Sequence, residues 1–207
     1  MPRAGLNRER VVDEAIAVAD AVGFDRLSLA AVAERTGVRL PSLYKHIESL
    51  DGLRRDVAVR ALEELADAVA PAVDGGTGAD GLRAMAAAYR DYARTHPGRY
   101  AATVRAPLPG DERHAAAAEA ILRVVYAVLA GYRLDADDTT DTDDAVDAAR
   151  TLRAALHGFV VLEASGGFGL PRDVDRSFDR LVAALDTALT HWPSSGPERT
   201  PPPQRHG

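Results

Sequence analysis

Apolar residues recur three and four positions apart along most of the chain, and no segment alternates apolar and polar residues as a β-strand does. Val12, Ala15, Ile16 and Ala19 show this spacing near the N-terminus. The period places such residues on one face of an α-helix. Because similar spacing continues to the C-terminal region, the sequence predicts an all-α fold.

Capping residues and helix breakers divide this pattern into separate helices. Asn7 is a good N-cap for a first helix that Gly23 ends. After the first three helices, others are expected near residues 51–70, 82–95, 98–105, 112–132, 143–165 and 172–191. The organisation predicted is an N-terminal three-helix domain at 1–50, a larger helical domain at 51–192 and a disordered, proline-rich tail at 193–207. The glycine-rich segment 74–81 is predicted to be a flexible joint.

Composition excludes several classes of protein. The chain has 207 residues and no cysteine, so disulfides and thiolate metal sites are excluded and a reducing cytoplasm is the expected compartment. No apolar run approaches the ~18 residues of a membrane span, so no membrane partner is expected. The net charge of the chain is −6. Residues 1–60 hold ten Arg or Lys and nine Asp or Glu, so the excess of acidic residues lies in the rest of the chain. This asymmetry favours a polyanion-binding head on a non-binding body.

The segment from Ser28 to Ile47 predicts two short helices joined by a turn. Ser28 caps the first through Arg35, Gly37 supplies the turn, and the second runs from Leu40 to Ile47. A proline in its first turn is tolerated, since the missing N–H has no intrahelical partner there. Two short helices around a glycine turn match a helix-turn-helix, whose second helix enters the major groove of DNA.

The outer positions of that second helix carry no acidic residue, and none occurs from residue 35 to 46. Leu43 and Ile47 are predicted to face inward. The predicted DNA contacts are a base-reading arginine, a serine for base or phosphate, three phosphate anchors and two apolar residues for a thymine methyl: Arg39, Ser42, Tyr44, Lys45, His46, Leu40 and Pro41. Short helix pairs with glycine turns also occur in helical proteins that do not bind DNA, so spacing alone leaves that alternative open.

The stretch GFDRLSLAAVAERTGVRLPSLYKHI, with its "P.LY.H" helix followed by "..L..L", closely resembles the DNA-binding domain of the tetracycline-repressor (TetR) family over about residues 8–55. The resemblance implies a one-component transcriptional regulator and not an enzyme: a homodimeric repressor that binds double-stranded operator DNA and is released by a small-molecule effector. Members often carry a phosphate-contacting lysine where this chain has Leu50; Arg54 or Arg55 is the expected substitute. The segment LHGFVVLEASGGFG (156–169) is similar to the Trp-His-Gly type of C-terminal domain, with Leu156 in the place of tryptophan.

In the body, the expected effector pocket is apolar with one or two polar groups, and its candidates include most of the tyrosines: Met85, Tyr89, Tyr92, Tyr100, Leu122, Tyr126 and His157. Each could instead be core or surface. The dimer is expected to form a four-helix bundle from the last two long helices. Their apolar stripes, which could equally be intramolecular core, are Leu152, Leu156, Phe159, Leu162, Phe178, Leu181, Val182, Leu185 and Leu189.

Other functions have weaker support in the sequence. The Asp-rich run 135–147 lacks the glycine and glutamate of an EF-hand loop, and the histidines show no ligand spacing, so no metal or cofactor is expected. No GxSxG, HExxH or nucleotide motif supports an enzyme. A helical module that binds another protein through its helix-turn-helix remains the principal alternative.

Overall fold

The computed structural model describes residues 6–74, 76–134 and 142–193. Over these ranges the chain forms nine α-helices and no β-strand, so the all-α prediction is confirmed. The helices are α1 Arg8–Val22, α2 Leu29–Thr36, α3 Leu40–Leu43, α4 Leu50–Val69, α5 Gly78–Thr95, α6 Pro97–Ala102, α7 Glu112–Ala130, α8 Thr142–Ala164 and α9 Val174–Thr190. No helix within the described residues is long and apolar enough to cross a membrane.

Side-chain caps begin several of the helices. The Asn7 side chain accepts a hydrogen bond from the Arg10 amide at 2.8 Å, and Ser28 Oγ accepts one from the Ala31 amide at 3.3 Å. Both predicted N-caps are therefore confirmed. Ser49 Oγ caps α4 in the same way, at 2.9 Å from the amide of Gly52. These bonds satisfy amides that have no partner inside their own helix.

Helix α3 is shorter than the sequence predicted. Regular helix ends at Leu43, and residues 44–46 form turns instead of continuing to Ile47. Ile47 still donates to the Leu43 carbonyl at 3.1 Å, so one helical hydrogen bond spans the turn. The Ile47 side chain is 3% exposed and packs into the core beneath α1, α2 and α4.

Two large hydrophobic cores and one small cluster between α4 and α7 lie in the described part of the chain, and α4 contributes to all three. The first half of α4 packs with α1, α2 and α3 through Leu53 and Val57; we call this unit the head. Its second half packs with α5, α7, α8 and α9 through Leu65 and Val69; we call this unit the body. Helix α4 is therefore an element that the two large cores share. The division predicted at residue 50 stays a prediction, as does the tail, since residues 194–207 lie outside the described part.

The glycine-rich segment 74–81 is not the predicted flexible joint over its last four residues, which form the first turn of α5. Its glycines permit close backbone packing. A Cβ on Gly81 would lie 2.5 Å from the Gly76 carbonyl oxygen, and one on Gly131 would lie 2.1 Å from the Gly78 nitrogen. These positions therefore exclude side chains where α5 meets the end of α7.

A nearly buried arginine holds α5 against α8 and α9. Arg90 donates to Glu163 of α8 at 2.8 Å and forms an ion pair with Asp175 of α9 at 2.7 Å. Its guanidinium carbon also lies 4.6 Å from the centroid of the Phe178 ring. The Arg90 charge lowers the pKa of Glu163 by hydrogen bonding to its carboxylate. Apolar packing and charge pairing thus fix the last two helices on the body.

Candidate functional site

A left-handed turn sets the angle between α2 and α3. Gly37 has φ +70°, a conformation that side chains with a Cβ rarely adopt, and its amide donates to carbonyls at the end of α2. The Thr36 hydroxyl donates to the Val32 carbonyl at 2.8 Å and closes the same helix end. Pro41 then occupies the first turn of α3, as predicted. The break in the helical pattern is the connection of a helix-turn-helix.

The second helix of this unit is anchored by one face and accessible on the other. Leu43 is fully buried, which confirms the inward face predicted for it. Leu40 and Tyr44 are 41% and 57% exposed, although both are large and hydrophobic. We call the seven predicted DNA-contacting residues the recognition surface; five of them are exposed and two half-buried: Arg39, Leu40, Pro41, Tyr44 and Lys45, then Ser42 and His46.

The cations of the recognition surface are free of acidic partners, unlike several neighbours. Among the described residues, Arg39 and Lys45 form no ion pair, whereas Arg35 pairs with Glu14 at 2.7 Å. Arg54, one expected substitute for the missing lysine, donates to the carbonyls of Asp25 and Leu27. Arg39 and Lys45 are therefore available to bind an external anion.

The other expected substitute is also engaged within the chain. Arg55 donates to Asp111 at 2.7 Å and to Asp56 at 3.0 Å. Its hydrogen bonds lower the pKa of Asp111 well below the usual range. Leu50, the first residue of α4, packs against the head core. Leu50, Arg54 and Arg55 are therefore not part of the recognition surface in this structure.

A cavity of about 440 Å³ lies in the body between α4, α5, α7, α8 and the segment 103–107. Three of the predicted ligand residues line it, namely Met85, Tyr89 and Leu122. Its wall is mostly aliphatic, and it opens near Val104 and Leu122, which are 49% and 37% exposed. Its size and apolar lining are typical of small-molecule sites. Two larger surface depressions, of about 580 and 650 Å³, are more open and lack this enclosure.

Two other predicted ligand residues stand directly behind the cavity wall. The Tyr100 hydroxyl lies 2.7 Å from that of Tyr89 and 2.6 Å from His157 Nδ1. This chain of hydrogen bonds, which we call the tyrosine relay, joins α5, α6 and α8. Burial raises the pKa of both tyrosines and lowers that of His157. All three groups are therefore neutral at pH 7.

The remaining two predicted ligand residues lie elsewhere. Tyr92 turns its hydroxyl toward α4, where it donates to the Ala61 carbonyl at 3.1 Å. Tyr126 packs against the body core without lining the cavity. Tyr92 is three residues from Tyr89, so the two side chains point about 60° apart around α5. This difference is enough for α4 to contact Tyr92 while the cavity contacts Tyr89.

Comparison with known proteins agrees with this geometry. Residues 82–185 match the family described as the tetracyclin repressor-like C-terminal domain. An HTH-type transcriptional regulator of Mycobacterium tuberculosis, Rv0681, is 38% identical over 193 residues, covering 91% of this chain and 85% of that protein. The chain belongs to the tetracycline-repressor (TetR) family of transcriptional regulators. This confirms the family, the regulatory function and the expectation that the protein is not an enzyme.

Two further comparisons agree with the membership. The HTH-type transcriptional regulator YobS of Bacillus subtilis is 36% identical over 188 residues, which cover 91% of this chain and 95% of that protein. A TetR variant from Acinetobacter baumannii, solved in complex with minocycline, superposes with a TM-score of 0.62. It is 22% identical, and the match covers 92% of this chain and 100% of that one. The second match shows the common TetR fold.

The sequence did not predict most of the residues that line the cavity of this TetR-family chain. They come from α4, the segment after α6, α7 and α8: Leu62, Leu65, Thr103, Val104, Arg105, Ala106, Pro107, Ala115, Ala118, Glu119, Ile121, Val125, Ala149, Leu152, Arg153 and Leu156. Most are small or aliphatic and have the same helical spacing as core residues. Only Arg105, Glu119 and Arg153 carry charges that could have distinguished a cavity wall from a core.

The cavity wall is connected to the TetR-family head by charged contacts. Arg105, in the wall, pairs with Asp51 in the first turn of α4 at 2.8 Å. Six residues later, Asp111 caps α7 and binds Arg55 of α4. The segment between α6 and α7 is thus attached to α4 near both of its ends.

Helix α6 forms a second connection between cavity and head. Gly98 lies so close to α1 that a Cβ there would be 2.1 Å from the Ala19 carbonyl oxygen. Arg99 pairs with Asp20 of α1 at 2.7 Å. The same short helix carries Tyr100 of the tyrosine relay. The helix that carries part of the tyrosine relay is therefore also in contact with α1.

Proposed function

We propose that this protein is a homodimeric transcriptional repressor that binds operator DNA through the recognition surface and is released by a small molecule in the body cavity. The observation that carries the proposal is the recognition surface itself: two cations that form no ion pair among the described residues and two exposed hydrophobic residues, on α3 and the residues that flank it, with Leu43 of α3 buried on the opposite side. A major groove about 12 Å wide accommodates one α-helix. Such a regulator acts on the chromosome, which places it in the cytoplasm.

Each residue of the recognition surface has a proposed contact. The Arg39 guanidinium suits a guanine edge, where two parallel hydrogen bonds form, and Ser42 suits a base or a phosphate. Tyr44, Lys45 and His46 contact phosphates, which position the protein without specifying sequence. Leu40 and Pro41 pack against a thymine methyl. Because Arg54 and Arg55 are bonded to other groups of the chain, the proposed DNA-contacting region of the recognition surface ends at His46.

The dimer is proposed to form through α8 and α9. Most of their predicted apolar stripe is buried within one chain, including Leu152, Phe178 and Leu185, so those residues are core. The exposed face of α8 instead presents Val161 and Leu162, which are 41% and 49% exposed. Two copies of this face related by a twofold axis would cover both residues in a four-helix bundle.

Effector release follows from the connections between cavity and head. A ligand that displaces segment 103–107 moves Arg105. Because Arg105 is paired with Asp51, the start of α4 moves with it. In a dimer, small rotations of α4 change the distance between the two recognition surfaces. The two heads then no longer fit half-sites one helical turn apart, about 34–36 Å. The minocycline complex of a protein with the same fold supports a small-molecule ligand for this chain.

Gel shift with DNA from upstream of the protein's own gene tests this function. We expect a discrete complex that unrelated DNA of equal length does not compete away, and an affinity that falls steeply with salt as counterions are released. A protein partner found by pulldown or two-hybrid assay, together with no DNA complex, would favour the protein-interaction module. Absence of salt-sensitive binding to upstream or neighbouring DNA would contradict the proposal.

A further inference from the structure

We propose that the cavity takes an amphipathic organic anion: an aliphatic body with one carboxylate that binds Arg153 and Tyr89. This inference rests on the proposed function, since it names the effector class for the same cavity. It comes from the distribution of charge and of apolar side chains on the cavity wall.

Three charged residues line the cavity, and only one lacks a counterion among the described residues. Arg105 is neutralised by Asp51 at 2.8 Å. Glu119 pairs with Arg123 at 3.5 Å on α7. Arg153 of α8 has no acidic partner within the described residues, and its charge acts on all three groups of the tyrosine relay. The wall therefore carries one uncompensated positive charge.

The tyrosine relay can supply a hydrogen bond to the same anion. Tyr89 has one hydroxyl partner, Tyr100, and a phenol can both donate and accept. If neutral His157 carries its proton on Nδ1, it donates to Tyr100, which donates to Tyr89. The Tyr89 hydroxyl is then free to donate to a carboxylate. A guanidinium together with a hydroxyl donor is a strong arrangement for binding a carboxylate.

The rest of the wall disfavours a cationic ligand and favours a flexible apolar body. Tyr89 is the single aromatic residue among the lining residues, so there is no aromatic cage for an ammonium group. The apolar lining consists of aliphatic side chains and Met85, including Leu62, Leu65, Val125 and Leu152. An alkyl chain packs on such a surface and gains affinity with each buried methylene.

Decanoate, 1-decanol and decylamine, each below its aggregation concentration, test the charge preference on the full chain by calorimetry and thermal shift. We expect decanoate to bind more tightly than 1-decanol, and decylamine to bind most weakly. The R153Q variant should lose affinity for decanoate by about tenfold, as expected for one charge-assisted hydrogen bond. Its affinity for 1-decanol should not change.

Arg150 provides the matched control, because it lies on α8 but pairs with Asp147 at 3.2 Å and does not line the cavity. R150Q should bind all three probes as the parent chain does. Absence of decanoate binding, tighter binding of decylamine, or an unchanged decanoate preference in R153Q would overturn the inference. Gel shift of the same samples separates the two proposals: DNA binding without decanoate binding overturns only the ligand class, whereas decanoate binding without DNA binding overturns only the repressor.

Discussion

At the scale of single residues, Arg39 and Lys45 are both accessible cations, but they should contribute to DNA binding in different ways. Arg39→Ala should cost about 1–3 kcal/mol and relax specificity at one operator position, because a guanine edge loses its paired hydrogen bonds. Fluorescence anisotropy with operators substituted one base pair at a time measures both effects.

Lys45→Ala should weaken binding to all DNA sequences nearly equally. Removal of one phosphate contact should flatten the slope of log affinity against log salt by about one unit. Arg83→Ala is the control, since Arg83 lies on α5 and pairs with Asp80. Equal loss of sequence specificity in both recognition-surface variants would show that their roles are not distinct.

His157 should make the folded state sensitive to moderately acidic pH. Burial, aided by the charge of Arg153, lowers its pKa in the native protein. The unfolded chain therefore binds a proton at His157 more readily than the native chain does, and stability falls as pH drops below the unfolded value of about 6.5. His114, whose pKa is also lowered by burial, acts in the same direction.

His157→Gln keeps an amide group that can donate to the Tyr100 hydroxyl, as the proposed His157 tautomer does, but it removes the titration. The urea midpoint of this variant should decline less between about pH 7 and pH 5 than that of the parent chain, while the contribution of His114 remains. An identical decline in the two proteins would mean that the native state does not disfavour protonation of His157.

At the scale of secondary-structure elements, the Gly37 turn determines how α3 is presented. A Cβ there would meet nothing within 4 Å, so any cost of substitution comes from the backbone at φ +70°. Gly37→Ala should lower the free energy of unfolding by about 1–2 kcal/mol. Gly37→Asn should lose less, because asparagine tolerates this conformation. Equal losses in chemical denaturation would argue against a left-handed turn.

The elements were largely predictable, whereas their ends and the cavity were not. Asn7 and Ser28 are local signals, because a cap bonds amides within three residues of itself. The end of α3 at Leu43 depends on how Ile47 packs in the head core, which no local pattern records. The cavity collects side chains from four helices and a loop. A prediction from residue type alone identified Tyr89 correctly but also included Tyr92, because the sequence does not show which helix packs against each face of α5.

At the scale of the whole molecule, the exposed face of α8 should control the oligomeric state. Leu162→Glu should leave the single chain folded, since the side chain is 49% exposed there. It should weaken the dimer by about 1.5–3 kcal/mol in each of two symmetry-related positions. Leu108→Glu is the control, because Leu108 is 61% exposed and lies outside α8 and α9. Sedimentation equilibrium that finds both variants equally dimeric would contradict this interface.

Helix α4 connects the cavity to the head in the proposed mechanism. Its first turn holds Asp51, which binds the cavity wall through Arg105, and its body half lines the same cavity. DNA binding and effector binding should therefore weaken each other. The factor by which bound effector lowers the affinity for DNA should equal the factor by which bound DNA lowers the affinity for the effector.

In the proposed complex, two copies of the recognition surface bind neighbouring major grooves of an operator. Hydroxyl-radical footprinting of the upstream DNA is the decisive measurement. We expect two protected patches on one face of the duplex, one helical turn or a multiple of it apart, with Lys45→Ala weakening both equally. A single patch, or uniform protection without spacing, would contradict it.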